Sequence, residues 1–345
     1  MSFLKGRAKM VVLPVVLFAA VVSGCGKPQT DNAAGAKSAA AAPSETPLRI
    51  AVVTNNASDW WTIAQKGGEQ AAQELPNVRL DFRLLPDGSA AARKALVADV
   101  LASGVDGIAI SPLDSVNQKQ MLDDAASKTL LFTLDSDAPD CKRACYVGTD
   151  DIAAGKMAGE MVAKALPSGG DVMVFVGKRD AQNAIDRFNG LKIGLPGSKV
   201  HILGVRTDDS DTAKAKAADA LTAKAKAADA LTANPDLAGL VGLWAYNGPA
   251  ILSAVGDAGK YGQIQIVCFD EADQTLQGVK NGQIYATVVQ QPYGFTREAI
   301  RRMALYLRGD RSQIPSSRKV IFPTKIIQKD NVDAFWQTLK VQRGH

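Results

Sequence analysis

Short apolar segments alternate with longer amphipathic segments along most of this chain, and this alternation limits the possible folds more than any other feature. The first three segments predict a strand over Arg49 to Thr54, a helix over Asp59 to Leu75 and a strand over Val78 to Leu85. The alternation breaks after Leu134 and restarts after Asp150. Repeated strand–helix units of this length require parallel sheets with helices on both faces. The break midway fits two sheets better than one, so we predict an α/β fold with two doubly wound parallel-sheet lobes.

The N-terminus has the organisation of an export signal. Three basic residues within the first nine precede an apolar core from Met10 to Val22, which is too short for a stop-transfer helix. The small residues before Cys25 resemble a bacterial lipobox, in which the cysteine is lipidated and becomes the mature N-terminus. The alternative is an ordinary signal peptide with a chance cysteine. We expect residues 1–25 to be a lipoprotein signal and Cys25 to anchor the protein in the periplasm or on the outer face of the cytoplasmic membrane.

Charge and composition after the signal limit the partners. The formal net charge is +5, and three of these charges lie in the signal, so the mature chain carries about +2. No basic patch follows, and we therefore expect no nucleic-acid binding. Residues 26–47 are mostly alanine and small polar residues without an aromatic or large aliphatic side chain, which predicts a flexible tether.

Three further cysteines need an assignment. Cys141 and Cys145 are close in sequence, and an oxidising compartment permits either a small disulfide loop or two free thiols there. A metal site is disfavoured because neither histidine is near them in sequence. Cys268 lies in a predicted strand and is expected to be a small buried apolar residue.

Signatures of catalysis are missing from the sequence. There is no phosphate-binding loop of the form G-x-x-x-x-G-K-[ST], no G-x-G-x-x-G, no G-x-S-x-G and no H-E-x-x-H. With two histidines in the chain, a nucleophile–histidine pair has little to be built from. We expect a protein that is not an enzyme and has no catalytic residues, no cofactor and no metal.

Polar and aromatic residues follow several predicted strands. In open α/β sheets, ligands bind in the crevice beyond the carboxyl ends of the strands. Each such residue alone could be a helix cap, a loop residue or, for an indole, part of the core. Together, carboxylates, amides and indoles suit a polyol, because planar polar groups bond hydroxyls and an indole covers the apolar face of a sugar ring. The segments concerned are Thr54-Asn55-Asn56, Trp60-Trp61, Asp135-Ser136-Asp137, Asp270-Glu271 and Gln290-Gln291-Pro292.

From about Leu48 to Gln328 the chain resembles the periplasmic sugar-binding proteins of ribose-binding type, which feed ABC importers. Five motifs in order carry the resemblance: Trp60-Trp61, Thr133-Leu134-Asp135, Asp186-Arg187-Phe188-Asn189-Gly190, Phe269-Asp270 and Ala286-Thr287-Val288-Val289-Gln290-Gln291-Pro292. The resemblance implies ligand contacts by Trp60 or Trp61, Asp135, Arg187, Asp270 and Gln290. It also implies closure of the lobes about a multi-crossover hinge.

The chain departs from the family pattern at two places. Ser136 stands where the family has an arginine, and in Trp244-Ala245-Tyr246-Asn247-Gly248-Pro249 the amide of an Asn-Asp pair is kept while the acid is replaced by Gly248. Losing a bidentate donor and gaining aromatic residues predicts that hydroxyls other than those of ribose are recognised. Tyr246 and Asn247 complete the candidate ligand-binding set.

A decamer, Thr212 to Leu221, is repeated without change as Thr222 to Leu231. Architectural repeats are longer and diverge, so this is interpreted as a tandem duplication. Ten residues leave a helix about 80° short of full turns, so Leu221 and Leu231 would barely share one face. We hypothesise that one copy is surplus. The repeat lies near the family's second-lobe ligand aromatic, which leaves contacts by residues 208–211 open.

The combined prediction is a lipid-anchored, monomeric protein that captures a sugar or related polyol and delivers it to the membrane subunits of an ABC importer. Its first lobe would comprise residues 48–149 with 291–322, and its second lobe residues 150–290 with 323–345. Lac-repressor-type regulators share such lobes, but the export signal stands where their DNA-binding headpiece would be. Two alternatives remain: a sensor subunit for a chemoreceptor or two-component system, and a binder of a non-sugar polar ligand such as an autoinducer.

Overall fold

The computed structural model describes residues 46–85, 89–207 and 216–344. The predicted signal, the lipidation site Cys25 and nearly all of the predicted tether lie outside the described residues, as do residues 208–211. Residues 45–345 form one compact unit. No helix in the described ranges combines the length and apolar character needed to cross a membrane.

Two six-stranded sheets form the framework of this unit. The first has the order β11-β5-β4-β3-β1-β2, with β1 Leu48–Val53, β2 Val78–Arg83, β3 Gly107–Ile110, β4 Leu130–Asp135, β5 Cys145–Thr149 and β11 Lys319–Phe322. The second has the order β12-β10-β9-β8-β6-β7, with β6 Gly170–Val176, β7 Val200–Thr207, β8 Gly239–Gly242, β9 Gln265–Phe269, β10 Ala286–Val289 and β12 Lys325–Ile327. The two orders correspond position by position, so β4 and β9 occupy equivalent places.

Helices connect the strands and cover both faces of each sheet. They are α1 Asp59–Glu74, α2 Ala90–Ala102, α3 Lys119–Ala126, α4 Asp151–Ala165, α5 Gln182–Gly194, α6 Lys216–Ala233, α7 Asn247–Asp257, α8 Asp273–Lys280, α9 Pro292–Leu307 and α10 Val332–Arg343. Successive strand residues point to opposite faces. Ile50 and Val52 therefore pack in one core cluster of the first lobe, and Ala51 and Val53 pack in the other. The predicted fold class, two doubly wound parallel-sheet lobes, is confirmed.

Three short crossovers join the lobes: one between β5 and α4, one between β10 and α9, and one between β11 and β12. The sequence from Val320 to Ile327 predicts one continuous strand. This prediction is wrong, because the chain leaves the first sheet after Phe322 and enters the second at Lys325. β12 pairs antiparallel with β10, the exception in two otherwise parallel sheets. Sequence analysis also missed β5, which follows β4 without an intervening helix.

The disulfide that the sequence permits between Cys141 and Cys145 is not formed. Both are free buried thiols, the alternative left open above, and they pack in core clusters of the first lobe that lie on opposite faces of the sheet. The loop between them is held instead by the buried ion pair of Arg143 with Asp137, in which Nη2 lies 2.6 Å from Oδ2. Burial raises the pKa of the Cys145 thiol to about 11. Cys268 is fully buried, as expected for an apolar role.

The second copy of the decamer packs into the second lobe, while the last residue of the first copy does not. Ala227 and Leu231 belong to the core of this lobe, with Leu231 5% exposed. Leu221, the equivalent of Leu231 in the first copy, is 68% exposed. Residues 212–215 lie outside the described part of the chain. The same decamer position is therefore exposed in the first copy and buried in the second, as the surplus-copy hypothesis predicts for this position.

Candidate functional site

A cavity lies between the carboxyl ends of the two sheets. It contains about 330 Å³ of space not filled by protein atoms, with the open solvent at its mouth included. Of the eight predicted ligand residues, seven line it. The described lining consists of Asn55, Asn56, Ser58, Trp60, Trp61, Asp135, Asn183, Arg187, Trp244, Ala245, Tyr246, Asp270 and Gln290.

Asp135 and Asp270 face the cavity from opposite lobes. Asp135 ends β4 and Asp270 follows β9, so they occupy equivalent positions in the two sheets. Both have left-handed backbone conformations, with φ of 64° and 68°. This region is uncommon for residues other than glycine, although aspartate and asparagine tolerate it best, and such residues cluster at functional sites. The sharp change in direction points each carboxylate out of its sheet edge.

Arg187 lies on α5 with its side chain 1% exposed. Its Nε donates to Asp151 Oδ1 at 2.7 Å, and its Nη1 donates to the carbonyl of Leu243 at 2.7 Å. Nη1 also lies 3.9 Å from Asp270 Oδ2, and Nη2 is buried without a partner. A guanidinium fixed at two corners, with an unsatisfied donor beside a cavity, is suited to bind a ligand oxygen.

Aromatic side chains enter the cavity from both lobes. Trp60 and Trp61, at the start of α1, are in edge-to-face contact with ring centroids 4.9 Å apart. The Trp61 indole N–H donates to Asn55 Oδ1 at 2.9 Å, which fixes its orientation. The Trp60 N–H has no partner within normal hydrogen-bond geometry, but it points its partial positive charge at the Asp270 carboxylate. This interaction lowers the pKa of Asp270. Both indoles line the cavity, where at least one was expected.

Trp244 and Tyr246 form the aromatic group of the second lobe, with ring centroids 6.2 Å apart. A Cβ at Gly177, just after β6, would collide with both rings, so glycine there makes room for them. The Trp244 Nε1 is buried without a partner. This pair therefore presents apolar faces and a free indole N–H opposite the tryptophans of the first lobe.

Burial raises the pKa of the site carboxyls. It raises the pKa of Asp135 to about 6 and the pKa of Asp151 to about 7, although Arg187 opposes both shifts. The pKa of Asp270 is also raised by burial, again against the effect of Arg187. For Glu271, burial and the neighbouring Asp270 raise the pKa well above its usual range, and neither carboxyl oxygen has a hydrogen-bond partner. The buried cluster thus holds more carboxyl groups than one guanidinium can compensate.

Asn247 is the predicted ligand residue that does not line the cavity. Its Oδ1 accepts a hydrogen bond from the backbone N–H of Trp244 at 2.9 Å, so it shapes the loop that carries Trp244. At the next position, a Cβ on Gly248 would lie 2.5 Å from Thr275 Oγ1. The close packing of α7 leaves no room for an acid there. Ser136 is buried and lies outside the lining as well.

Sequence reasoning missed part of the lining. Asn55 and Asn56 were noted as strand-end residues but were not selected, and Trp244 follows the end of β8 in the same way. The strand-end rule could therefore have found all three. Asn183 lies four residues before Arg187 on α5 and so shares its helix face, a spacing that could also have been used. Ser58 and Ala245 carried no signal beyond their neighbours.

Hydrogen bonds connect the site to the hinge. Gln290 donates to Asp270 Oδ1 at 2.8 Å, and its Oε1 accepts from Thr149 Oγ1 at 2.9 Å. Tyr146 Oη lies 2.8 Å from the carbonyl oxygen of Asp135 and accepts from the Thr149 N–H at 3.0 Å. Thr149 ends the β5 side of one crossover, so both site carboxylates are coupled to the segment that must flex.

The described lining consists of groups that can bind a polar ligand. Its described members include no histidine, cysteine or lysine, and no group of three potential metal ligands occurs in the described ranges. Its polar atoms belong to carboxylate, amide, indole, guanidinium and hydroxyl groups, which hydrogen-bond hydroxyls and amines. Two lobes with a cavity between them and a three-segment hinge define the class of proteins that close around a solute.

The chain belongs to the periplasmic binding protein family: residues 50–311 match the family model of the periplasmic binding protein domain. It is 29% identical over 253 residues to the D-allose-binding periplasmic protein of Escherichia coli, covering 70% of this chain and 79% of that protein. It is 27% identical over 291 residues to the ribose import binding protein of Haemophilus influenzae, covering 82% and 93%. An ABC transporter solute-binding protein from Burkholderia graminis, solved in complex with D-arabinose, is 25% identical with a TM-score of 0.76, covering 83% and 96%.

Proposed function

We propose that this chain is a non-catalytic, extracytoplasmic binding protein that captures a sugar or related polyol between its lobes and delivers it to an ABC importer. The observation that carries the proposal is the cavity itself, where carboxylates from both lobes, a buried guanidinium and four aromatic side chains face one small space. The relatives bind allose, ribose and arabinose by name, which supports a monosaccharide-sized ligand.

Each side chain would have a distinct role. Asp135, Asp270 and Gln290 would accept or donate hydrogen bonds to hydroxyls, and the free Nη2 of Arg187 would bond a ring or hydroxyl oxygen. Trp60, Trp61, Trp244 and Tyr246 would cover the apolar faces of the ring. Because both lobes supply contacts, the ligand would stabilise the closed state over the open state.

The ligand class is tested by a thermal-shift screen of the purified protein against monosaccharides, polyols and autoinducers. A ligand at about 100 times its dissociation constant stabilises the folded state by about 2.7 kcal/mol. Intrinsic fluorescence gives a second readout, because three of the four tryptophans line the cavity. A response to an autoinducer and to no sugar or polyol would contradict the proposal.

A matched pair of variants locates the response. Trp60→Ala should weaken binding at least tenfold, because it removes one wall of the cavity. Trp336→Ala removes the same side chain outside the cavity, where its Nε1 donates to Asp273, and should leave the affinity unchanged. Equal losses in both variants would remove Trp60 from the proposed site.

Coupling to an importer is tested by uptake. Cells lacking this gene should lose uptake of the labelled ligand found in the screen. Unchanged uptake, with a lost transcriptional or chemotactic response, would favour the sensor alternative.

Lipid anchoring at Cys25 belongs to the same proposal: Cys25→Ala should release the protein from membranes. The proposal also includes a monomeric state. Its first lobe comprises residues 48–149 with 291–322, and its second lobe comprises residues 150–290 with 323–345.

A further inference from the structure

The charged side chains that line the cavity or directly contact Arg187 carry an excess of negative charge. Arg187 is the one cation among the described lining residues, and it faces three carboxyls: Asp151 at 2.7 Å, Asp270 at 3.9 Å, and Asp135, whose pKa it lowers. Burial and the neighbouring Asp270 raise the pKa of Glu271, which does not line the cavity and is left out of this count. When all three aspartates are ionised, one positive charge faces three negative ones.

The two lining carboxylates keep unused bonding capacity. Asp135 Oδ2 accepts from Asn55 Nδ2 at 3.2 Å and from Ser111 Oγ at 2.9 Å, while Oδ1 has no hydrogen-bond partner among the described residues. Asp270 Oδ1 accepts from Gln290, and its Oδ2 is too far from Arg187 for a hydrogen bond. Each lobe therefore offers a charged acceptor oxygen to the ligand.

The aromatic side chains beside these oxygens also favour a cation. Trp60, Trp61, Trp244 and Tyr246 line the same space, and the face of an aromatic ring attracts a positive charge. Aromatic side chains combined with carboxylates are the arrangement that recognises ammonium groups, whereas for an anionic ligand the three carboxyls would be repulsive.

We propose that the ligand of this site carries a protonated amino group, as an amino sugar or amino polyol does, with the ammonium placed between Asp135 and Asp270. This inference rests on the proposed function and narrows its substrate class. Excess buried charge is costly unless it is compensated, and a cationic ligand compensates it in the closed state. In the absence of a cation, the same carboxyls take up protons instead, which agrees with the raised pKa of Asp135.

The test compares matched ligands by calorimetric titration of the purified protein at pH 7. The pairs are D-glucosamine with D-glucose, D-galactosamine with D-galactose, D-mannosamine with D-mannose, and glucamine with sorbitol; the N-acetylated sugars serve as uncharged controls. We expect the amino member of at least one pair to bind at least tenfold more tightly than its neutral parent, and the N-acetyl form to show no such gain.

Two variants and a control assign the preference to the carboxylates. Asp135→Asn and Asp270→Asn keep the size of the side chain and tolerate the left-handed backbone. Each should lower the ratio of amino to neutral affinity at least fivefold. Asp106→Asn makes the same charge change just before β3, at the opposite end of the strands, and should leave the ratio unchanged.

Every outcome separates this inference from the proposed function. Neutral sugars that bind as tightly as their amino counterparts in all pairs would overturn the inference and leave the proposed function standing. A preference that survives both aspartate substitutions would overturn the assignment to these carboxylates. No binding of any sugar or polyol, amino or neutral, would overturn both.

Discussion

Tyr146 holds the backbone of Asp135 at the end of β4. Its hydroxyl lies 2.8 Å from the Asp135 carbonyl and 2.9 Å from the Thr149 carbonyl, and it accepts from the Thr149 N–H. The side chain is 3% exposed, and a Cβ at Gly148 would collide with its ring and hydroxyl. One hydroxyl thus connects the left-handed Asp135 at the cavity to the start of a hinge crossover.

We therefore expect Tyr146→Phe to destabilise the protein by about 1–3 kcal/mol, because it leaves the buried Thr149 N–H and the Asp135 carbonyl without their partner. Ligand affinity should also fall, since Asp135 loses its support. Chemical denaturation and titration measure the two effects. Tyr285→Phe is the control, because Tyr285 is partly buried and makes no side-chain hydrogen bond among the described residues. Equal effects in both variants would contradict the assigned role.

For single residues, the sequence predicted most of the candidate site because strand ends are recognisable. It could not show that Asn247 bonds the Trp244 backbone instead of facing the cavity, since that depends on how tightly α7 packs against Thr275. Nor could it show that Asp137 pairs with Arg143, six residues away. Both assignments depend on the direction of a side chain, which spacing alone does not determine.

Among the secondary-structure elements, the errors follow from sheet connectivity. β5 was missed because it follows β4 through a loop instead of a helix, so the alternation gave no signal for it. The sequence predicts β11 and β12 as one strand because only Pro323 and Thr324 separate them. One of these two residues is apolar and the other is β-branched, so neither interrupts the strand pattern clearly. Periodicity identifies a strand, but it does not identify the sheet that receives it.

Helix α6 gives a prediction with a built-in control, because its two leucines occupy the same decamer position. Leu231→Ala should cost about 2–5 kcal/mol, as for a buried leucine. Leu221→Ala should change the free energy of unfolding by less than about 0.5 kcal/mol, because the side chain is exposed. Deleting residues 212–221 should have an equally small effect. A loss of stability on deletion close to that of Leu231→Ala would contradict the surplus-copy hypothesis.

For the whole molecule, the buried carboxyls connect the stability of the fold to pH. Burial raises the pKa values of Asp135 and Asp151 to about 6 and about 7, from about 3.9 in an unfolded chain. Between these values the folded protein binds more protons than the unfolded chain does. Its free energy of unfolding therefore falls as pH rises through this range.

We expect the ligand-free protein to melt at a higher temperature at pH 5 than at pH 8. Carboxyls with lowered pKa values, such as Glu298, are ionised throughout this window and do not mask the effect. Asp135→Asn should reduce the slope, because the asparagine does not titrate. Differential scanning calorimetry across the window makes the measurement. A melting temperature that increases from pH 5 to pH 8 would contradict the expectation.

The matching strand orders of the two sheets also affect how a ligand can be oriented. Asp135 and Asp270 are related by the correspondence between the lobes, so a ligand turned end over end meets a similar pair of carboxylates. Arg187 in the second lobe and the Trp61–Asn55 pair in the first have no such counterparts within the described lining. These unmatched groups therefore decide which end of the ligand faces which lobe. A ligand with a twofold-symmetric hydroxyl pattern would have two nearly equivalent poses, whereas a single off-axis substituent would select one.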